Sequence, residues 1–285
     1  MLKWLLQKVR GAQPAELPGY AAQGVIREGS MSVIFKAREH ETGRMVAVKV
    51  HKPGVKRTID KRESRFRDFT EGQITASFDH VNVIKCLDHG DLGGRPYLVL
   101  EYLEGMTLAN LTGGSSKRLA GQRLACIRQA AAALAHVHAQ RFVHHDVCAK
   151  NLFVTNENRV KLIDFVLATP LLDTPAVCTR TGTVDTLAPE VLRREVCDQR
   201  VDVFAWGVVA YQVLSGHWPF ESPDHHQTLS KILNVHPVPL ARRVSALPEE
   251  IASLIMRCLD KDPAKRLSSM STAVGVLERH KACHI

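Results

Sequence analysis

The chain has 285 residues, 45% of them hydrophobic and 24% charged, ordinary proportions for one large globular domain or two smaller ones. Its net charge of +9 admits nucleic acid, membrane surfaces or acidic substrates as partners, but no apolar run approaches the ~20 residues of a membrane span or has the pattern of a signal peptide. Seven scattered cysteines with no C-x-x-C pair argue against a disulfide framework and for a reducing, cytoplasmic compartment.

Residues 1–19 stand apart as an extension. Leu2, Leu5, Leu6 and Val9 make an apolar stripe beside Lys3, Lys8 and Arg10, and Gly11 to Pro18 reads as a linker. Such a stripe suits weak surface contact by residues 2–10 with a membrane or partner, or a short helix packed on the main domain, since about ten residues make a marginal helix alone. Val25 to Ala37 and Arg44 to Val50 are predicted strands joined by the turn His40-Glu41-Thr42-Gly43. Lys49 is alone in an apolar alternation, so its ammonium needs an anion. Lys52 to Arg67 holds seven basic residues against Asp60 and Glu63. With only Phe66 interleaved, it reads as a solvated face or docking patch, not as a nucleic-acid site.

Gln122 to Gln140 is a predicted helix, with Leu124, Ile127, Ala131, Leu134 and Val137 at helical spacing. A polar stretch follows, His144-His145-Asp146-Val147-Cys148-Ala149-Lys150-Asn151. Leu152-Phe153-Val154 and Val160-Lys161-Leu162-Ile163 then read as strands around the turn Asn156-Glu157-Asn158, returning Asp164 towards Asp146 and Asn151. Two carboxylates and an amide are oxygen ligands suited to Mg²⁺ shared with a phosphate. A transition-metal site at His144, His145 and Asp146 is a weaker alternative, because adjacent histidines rarely converge on one ion. Further helices are predicted over Asp202 to Ser215 and from Pro248-Glu249-Glu250 onwards.

The polar stretch and Asp164-Phe165-Val166 resemble the H-R-D-L-x-x-x-N and D-F-G motifs of the eukaryotic-like (Hanks-type) Ser/Thr protein kinases, including those of bacteria. Other pieces follow in the family's order across residues 20–280. Val46-Ala47-Val48-Lys49 is similar to V-A-I-K. Ala188-Pro189-Glu190 matches A-P-E, and Thr181 to Glu190 resembles the Ser/Thr-type segment leading into it. The resemblance implies an α+β, two-lobed kinase fold, with a small lobe over 20–103 and a large lobe over 104–282. ATP and Mg²⁺ would bind between the lobes, and the γ-phosphoryl group would go to a Ser/Thr hydroxyl of a protein substrate.

By the same resemblance, Asp146 orients the acceptor hydroxyl, while Asn151 and Asp164 hold Mg²⁺. Lys49, paired with Glu71, sets the α- and β-phosphates, and Lys150 neutralises the γ-phosphate. Glu71 matches the end of the family's helix C, with Glu63 as its rival. Ile26, Gly29, Ile34 and Ala47 fall where the nucleotide is covered, and Glu101, Leu103 and Glu104 fall at the hinge after Leu100. Asp202 is expected to hold the catalytic-loop backbone, Thr183 to bond Asp146, and Arg266 to pair with Glu190.

The departures are Arg27 and Ser32 for two loop glycines, His145 for arginine, Cys148 for lysine and Val166 for glycine. They support an alternative, a pseudokinase acting as a nucleotide-binding scaffold. Valine at 166 is expected to be penalised wherever φ must become positive. Histidine at 145 implies activity that depends little on phosphorylation of Thr179, Thr181 or Thr183.

Overall fold

The computed structural model describes residues 17–53, 69–112, 117–171, 176–177 and 181–283. The N-terminal stripe, most of the basic stretch, Glu63 and Thr179 lie outside the described residues. The chain divides into two compact units. The first runs to Asp79 and includes Ile84–Glu104; the second comprises His80–Val83 and everything from Gly105 onwards.

The first unit is built on an antiparallel five-stranded sheet in the order β1-β2-β3-β5-β4. Its strands are β1 Tyr20–Glu28, β2 Ser32–Glu39, β3 Met45–His51, β4 Cys86–Asp91 and β5 Pro96–Glu101. Where the sequence suggested one strand over Val25 to Ala37, the backbone turns back at Gly29–Met31. The register Glu28↔Val33 closes a hairpin there, and the Gly29 amide donates to the Ser32 carbonyl at 2.9 Å. The sheet's two faces follow strand alternation. Val33, Phe35, Ala37, Val46, Val48, Val50 and Val99 make the core on one face. Ile34, Ala47 and Lys49 fall on the other, where Lys49 lies opposite Ile34 and Leu98.

A short helix, α1 Glu71–Ala76, packs on this unit. Thr70 and Gln73 form a reciprocal capping box at its start, satisfying two otherwise orphaned backbone donors. Glu71 is therefore the first helical residue here, whereas the family resemblance placed it near a helix end.

The second unit starts with β6 Gly105–Thr107 and α2 Leu108–Thr112. The long helix α3 Arg123–Ala139 runs to β7 Phe142–Val143. β8 Leu152–Thr155 and β9 Val160–Leu162 form the expected hairpin, and β6 joins it as a third strand. β10 Thr169–Pro170 pairs with β7, and β11 Ala176–Val177 pairs with β12 Val196–Cys197. The helices α4 Pro189–Arg193, α5 Arg200–Ser215, α6 His225–Asn234, α7 Leu240–Arg243, α8 Glu249–Cys258 and α9 Met270–Arg279 complete the unit. α5 is apolar nearly all round, and from Val201 to Leu214 every residue but Gln212 is buried, as expected of a central helix. Its Trp206 indole donates to the Ile127 carbonyl of α3 at 3.1 Å. No helix among the described residues is long and apolar enough to cross a membrane.

Candidate active site

The catalytic-loop stretch spans the gap between β7 and β8, and its shape is set by one buried carboxylate. Asp202, in the first turn of α5, accepts the backbone amides of His144 at 2.8 Å and His145 at 2.9 Å. It also accepts the His138 Nε2–H from the last turn of α3 at 2.9 Å. Burial alone would raise the Asp202 pKa, but the His138 hydrogen bond and the neighbouring imidazoles hold it down at about 2. His145 takes a left-handed backbone conformation, φ 65°, which is costly for a side chain with a Cβ and persists because both flanking amides are pinned.

The loop thus held presents Asp146. Its Oδ1 accepts both the backbone N–H and the hydroxyl of Thr183, each at 2.8 Å. Its Oδ2 accepts from Asn151 Nδ2 at 2.8 Å, and the same amide nitrogen donates to the Asp146 carbonyl at 2.9 Å. The Asn151 amide is thereby oriented with Oδ1, a suitable ligand for a hard cation, turned away from Asp146. The Asn151 carbonyl accepts the Ile163 amide at 2.9 Å, which anchors the residue just before Asp164. Asp164 itself is left-handed, φ 67°. Asp146 and Asn151 are thus joined directly, and the tie to Asp164 runs through the backbone bond between Asn151 and Ile163. Lys150 is exposed beside them.

The two histidines do not converge. Nδ1 of His144 lies 3.2 Å from the Asp146 amide and its Nε2 3.2 Å from the Ile163 carbonyl oxygen, while its ring meets Phe165 edge-on at 4.8 Å. His145 Nε2 faces the Thr169 hydroxyl at 2.9 Å. Among the described residues no cluster of three metal-binding side chains exists, so the transition-metal alternative has no support.

The other candidate residues lie in the first unit. Lys49 Nζ is 2.7 Å from Glu71 Oε1, and both side chains are buried. Ile34 and Ala47 share the sheet face of Lys49, while Ile26 is exposed at a register shift in β1. Gly29 sits in the hairpin turn. Glu101 ends β5, with its amide donating to the Lys85 carbonyl at 3.0 Å; Leu103 and Glu104 follow it.

Glu190, at the start of α4, meets the Arg266 guanidinium through two bonds of 2.6 and 2.7 Å, fully buried. Such a pair leaves a costly orphan when either partner is removed. None of the residues replacing family glycines, Arg27, Ser32 or Val166, has a positive φ. The penalty expected at Val166 is therefore absent in this conformation.

Three contributors were missed in the sequence. His138 lies four residues beyond Leu134, on the buried stripe of α3, and that spacing was its signal. Gly182 is left-handed, φ 113°, and a Cβ there would stand 2.7 Å from the His145 carbonyl. The glycine before Thr183 is thus what lets the segment reach Asp146. His51 also contacts Glu71, at 2.9 Å, and had no motif to reveal it.

The profile of the protein kinase domain family matches residues 20–276. The chain is 31% identical over 255 residues to the serine/threonine-protein kinase PknB of Mycolicibacterium smegmatis, covering 87% of this chain and 40% of that protein. It is 28% identical over 249 residues to the serine/threonine-protein kinase PrkC of Bacillus subtilis, covering 87% and 38%. With the serine/threonine-protein kinase pkn2 of Myxococcus xanthus it shares 31% over 253 residues, covering 85% and 30%. The chain thus spans about two fifths or less of the length of these relatives.

Proposed function

The chain belongs to the protein kinase domain family, and we propose that it transfers the γ-phosphoryl group of MgATP to serine or threonine hydroxyls of a protein substrate. The observation that carries this reading is the double engagement of Asp146. Thr183 holds one carboxylate oxygen and Asn151 the other, so the carboxylate is aimed before any acceptor arrives. A threonine on Asp146 suits a short hydroxyl side chain. The relatives are all named serine/threonine-protein kinases, which supports the same acceptor class.

In this reading Asp146 orients the acceptor hydroxyl and takes its proton as the oxygen–phosphorus bond forms. Asn151 and Asp164 would hold Mg²⁺ through oxygen ligands, and the ion would offset the charge of the phosphates; the bond from the γ-phosphorus to the bridging oxygen breaks and ADP is the leaving group. Lys49, paired with Glu71, holds the α- and β-phosphates. Lys150 reaches the γ-phosphate on its long stem in place of the lysine that Cys148 replaces. Ile26, Gly29, Ile34 and Ala47 cover the nucleotide, and Glu101, Leu103 and Glu104 meet adenine and ribose. We assign residues 20–103 to the small lobe, 104–282 to the large lobe and 1–19 to an extension. The dispersed cysteines support a cytoplasmic setting.

Incubation with labelled MgATP and a generic protein acceptor, followed by phosphoamino-acid analysis, tests the proposal. Label on serine or threonine is expected. Label mainly on tyrosine would overturn the acceptor class. MgATP binding with no transfer to any acceptor would leave the nucleotide-binding scaffold.

A further inference from the structure

Glu71 is held by two residues of one strand. Lys49 and His51 are two apart on β3 and therefore share a face. Lys49 Nζ meets Oε1 of Glu71 at 2.7 Å, and His51 Nε2 meets Oε2 at 2.9 Å. All three are buried, at 5%, 7% and 7% exposure for Lys49, His51 and Glu71. Since a carboxylate only accepts, the imidazole must donate through Nε2. We propose that His51 is a positioning residue: by occupying the second oxygen of Glu71 it fixes the plane of that carboxylate, and so fixes the ammonium of Lys49. The catalytic consequence rests on the phosphoryl-transfer reading given above.

The need for such a tie follows from α1. The described helix is six residues long, too short to hold itself without tertiary contacts. Glu71 is its first residue, and its carboxylate direction depends on where α1 sits. Two local features fix the helix body: the Thr70–Gln73 capping box, and close packing of Gly72 on β4, where a Cβ would stand 2.5 Å from the His89 side chain. Neither acts on the Glu71 carboxylate itself. Each carboxylate oxygen has its own donor on one rigid strand, and two donors two residues apart define the plane of the carboxylate more closely than one. An apolar side chain at 51 would fill the same space with no desolvation cost, so packing alone does not call for an imidazole.

The experiment compares the full chain with His51→Leu, which removes the donor, and His51→Gln, whose Nε2 can reach the same oxygen. The first readout is steady-state phosphoryl transfer with varied ATP. His51→Leu should lower kcat by about tenfold with KM for ATP changed by less than about threefold, and His51→Gln should return to within about threefold of the native chain. The second readout is independent of transfer: the rate at which an amine-reactive ester labels Lys49, read by mass spectrometry. A loosened Glu71 leaves the amine more often without its carboxylate, so His51→Leu should label severalfold faster and His51→Gln at the native rate. Thermal stability is measured on each, and His51→Asn, too short to reach, substitutes for the leucine variant if that one does not fold. Equal labelling and equal kcat in the native, Leu or Asn, and Gln proteins would overturn the proposal. A native chain that transfers nothing would sink the phosphoryl-transfer reading, while the labelling comparison would still decide the role of His51.

Discussion

The β1–β2 hairpin of the first unit and the catalytic loop of the second are both short turns assigned to the same reaction, yet they are held very differently. The hairpin is tied by the β1–β2 ladder and the Gly29–Ser32 amide bond, and Val25, Ile26 and Met31 around it are 46%, 49% and 41% exposed. The catalytic loop is fixed at His144, His145, Asp146 and Asn151 by Asp202, Thr183 and the Ile163 amide, with His145 and Asp164 in left-handed backbone. The departures from the family pattern fall accordingly. Two glycines are lost from the hairpin, where the replacements sit in ordinary strand conformation. In the loop, His145 and Cys148 are the replacements, while Asp146 and Asn151, which bond each other, keep the family's residues. Strain is kept where over-determined contacts can hold it.

The largest effect should come from the residue that the loop exists to aim. Asp146→Asn is expected to lower transfer by about 10³-fold, in the range for loss of a general base, while thermal unfolding stays close to native. Retained activity would show that the carboxylate is not the proton acceptor. Asp202→Ala should act on the scaffold instead. It leaves the His144 and His145 amides and the His138 N–H buried without their acceptor, and should cost about 3–5 kcal/mol in denaturant unfolding. A loss under about 1 kcal/mol would mean the loop keeps its shape by other means.

Gly182→Ala probes the approach of Thr183. The added Cβ meets backbone at 2.7 Å in a left-handed position, so Thr183 must retreat from Asp146. Transfer should fall by about 10- to 100-fold, equivalent to ~1–3 kcal/mol, with KM for ATP little changed. An unaffected kcat would mean the Thr183 contacts do not aim Asp146.

These contacts also mark what the sequence could and could not disclose. The β8–β9 hairpin and the Asp146–Asn151 contact were legible because the polar stretch is followed by two short apolar strands around a turn. Glu190 and Arg266 were legible only through family order, being 76 residues apart. α3 follows from apolar periodicity and α5 from a continuous apolar run, each bounded within two residues of expectation, and α8 opens at the expected Glu249. The break at Gly29–Met31 was hidden because apolar and polar residues alternate on both sides of it, and a turn with negative φ leaves no compulsory glycine signal. His51 and His138 were hidden because a histidine among apolar residues has no partner until the fold supplies one, Glu71 in one case and Asp202 in the other.

The loop's burial predicts a pH dependence. Burial pushes the His145 pKa below the usual imidazole range, and the Asp202 carboxylate opposes that shift. In the unfolded chain the imidazole gains its proton near the ordinary value of about 6.5. Below that pH the unfolded state therefore binds more protons than the folded one. The stability contributed by neutral His145 is complete above about pH 6.5 and is lost as pH falls towards the folded-state value. Melting temperatures between pH 7.5 and 5.5 should fall more for the native chain than for His145→Gln. Parallel profiles would show that folding does not lower the His145 pKa.

The smallest structural effect belongs to the hairpin and sharpens the contrast most. Gly29 has no positive φ, and a Cβ there would meet only the Ser32 carbonyl at 3.5 Å, an ordinary contact. Nothing in the folded chain requires glycine at that position. Gly29→Ala should change stability by no more than about 0.5–1 kcal/mol, with a gain favoured because alanine restricts the unfolded chain. A reason to retain glycine then has to come from a ligand, since a bare backbone lets amides approach phosphate oxygens closely. The variant should fold as well as the native chain and still show a KM for ATP raised by about three- to tenfold, with kcat much less affected. An unchanged KM would mean the hairpin does not touch the phosphates, and a loss of several kcal/mol in stability would mean the turn is held far more tightly than its contacts indicate.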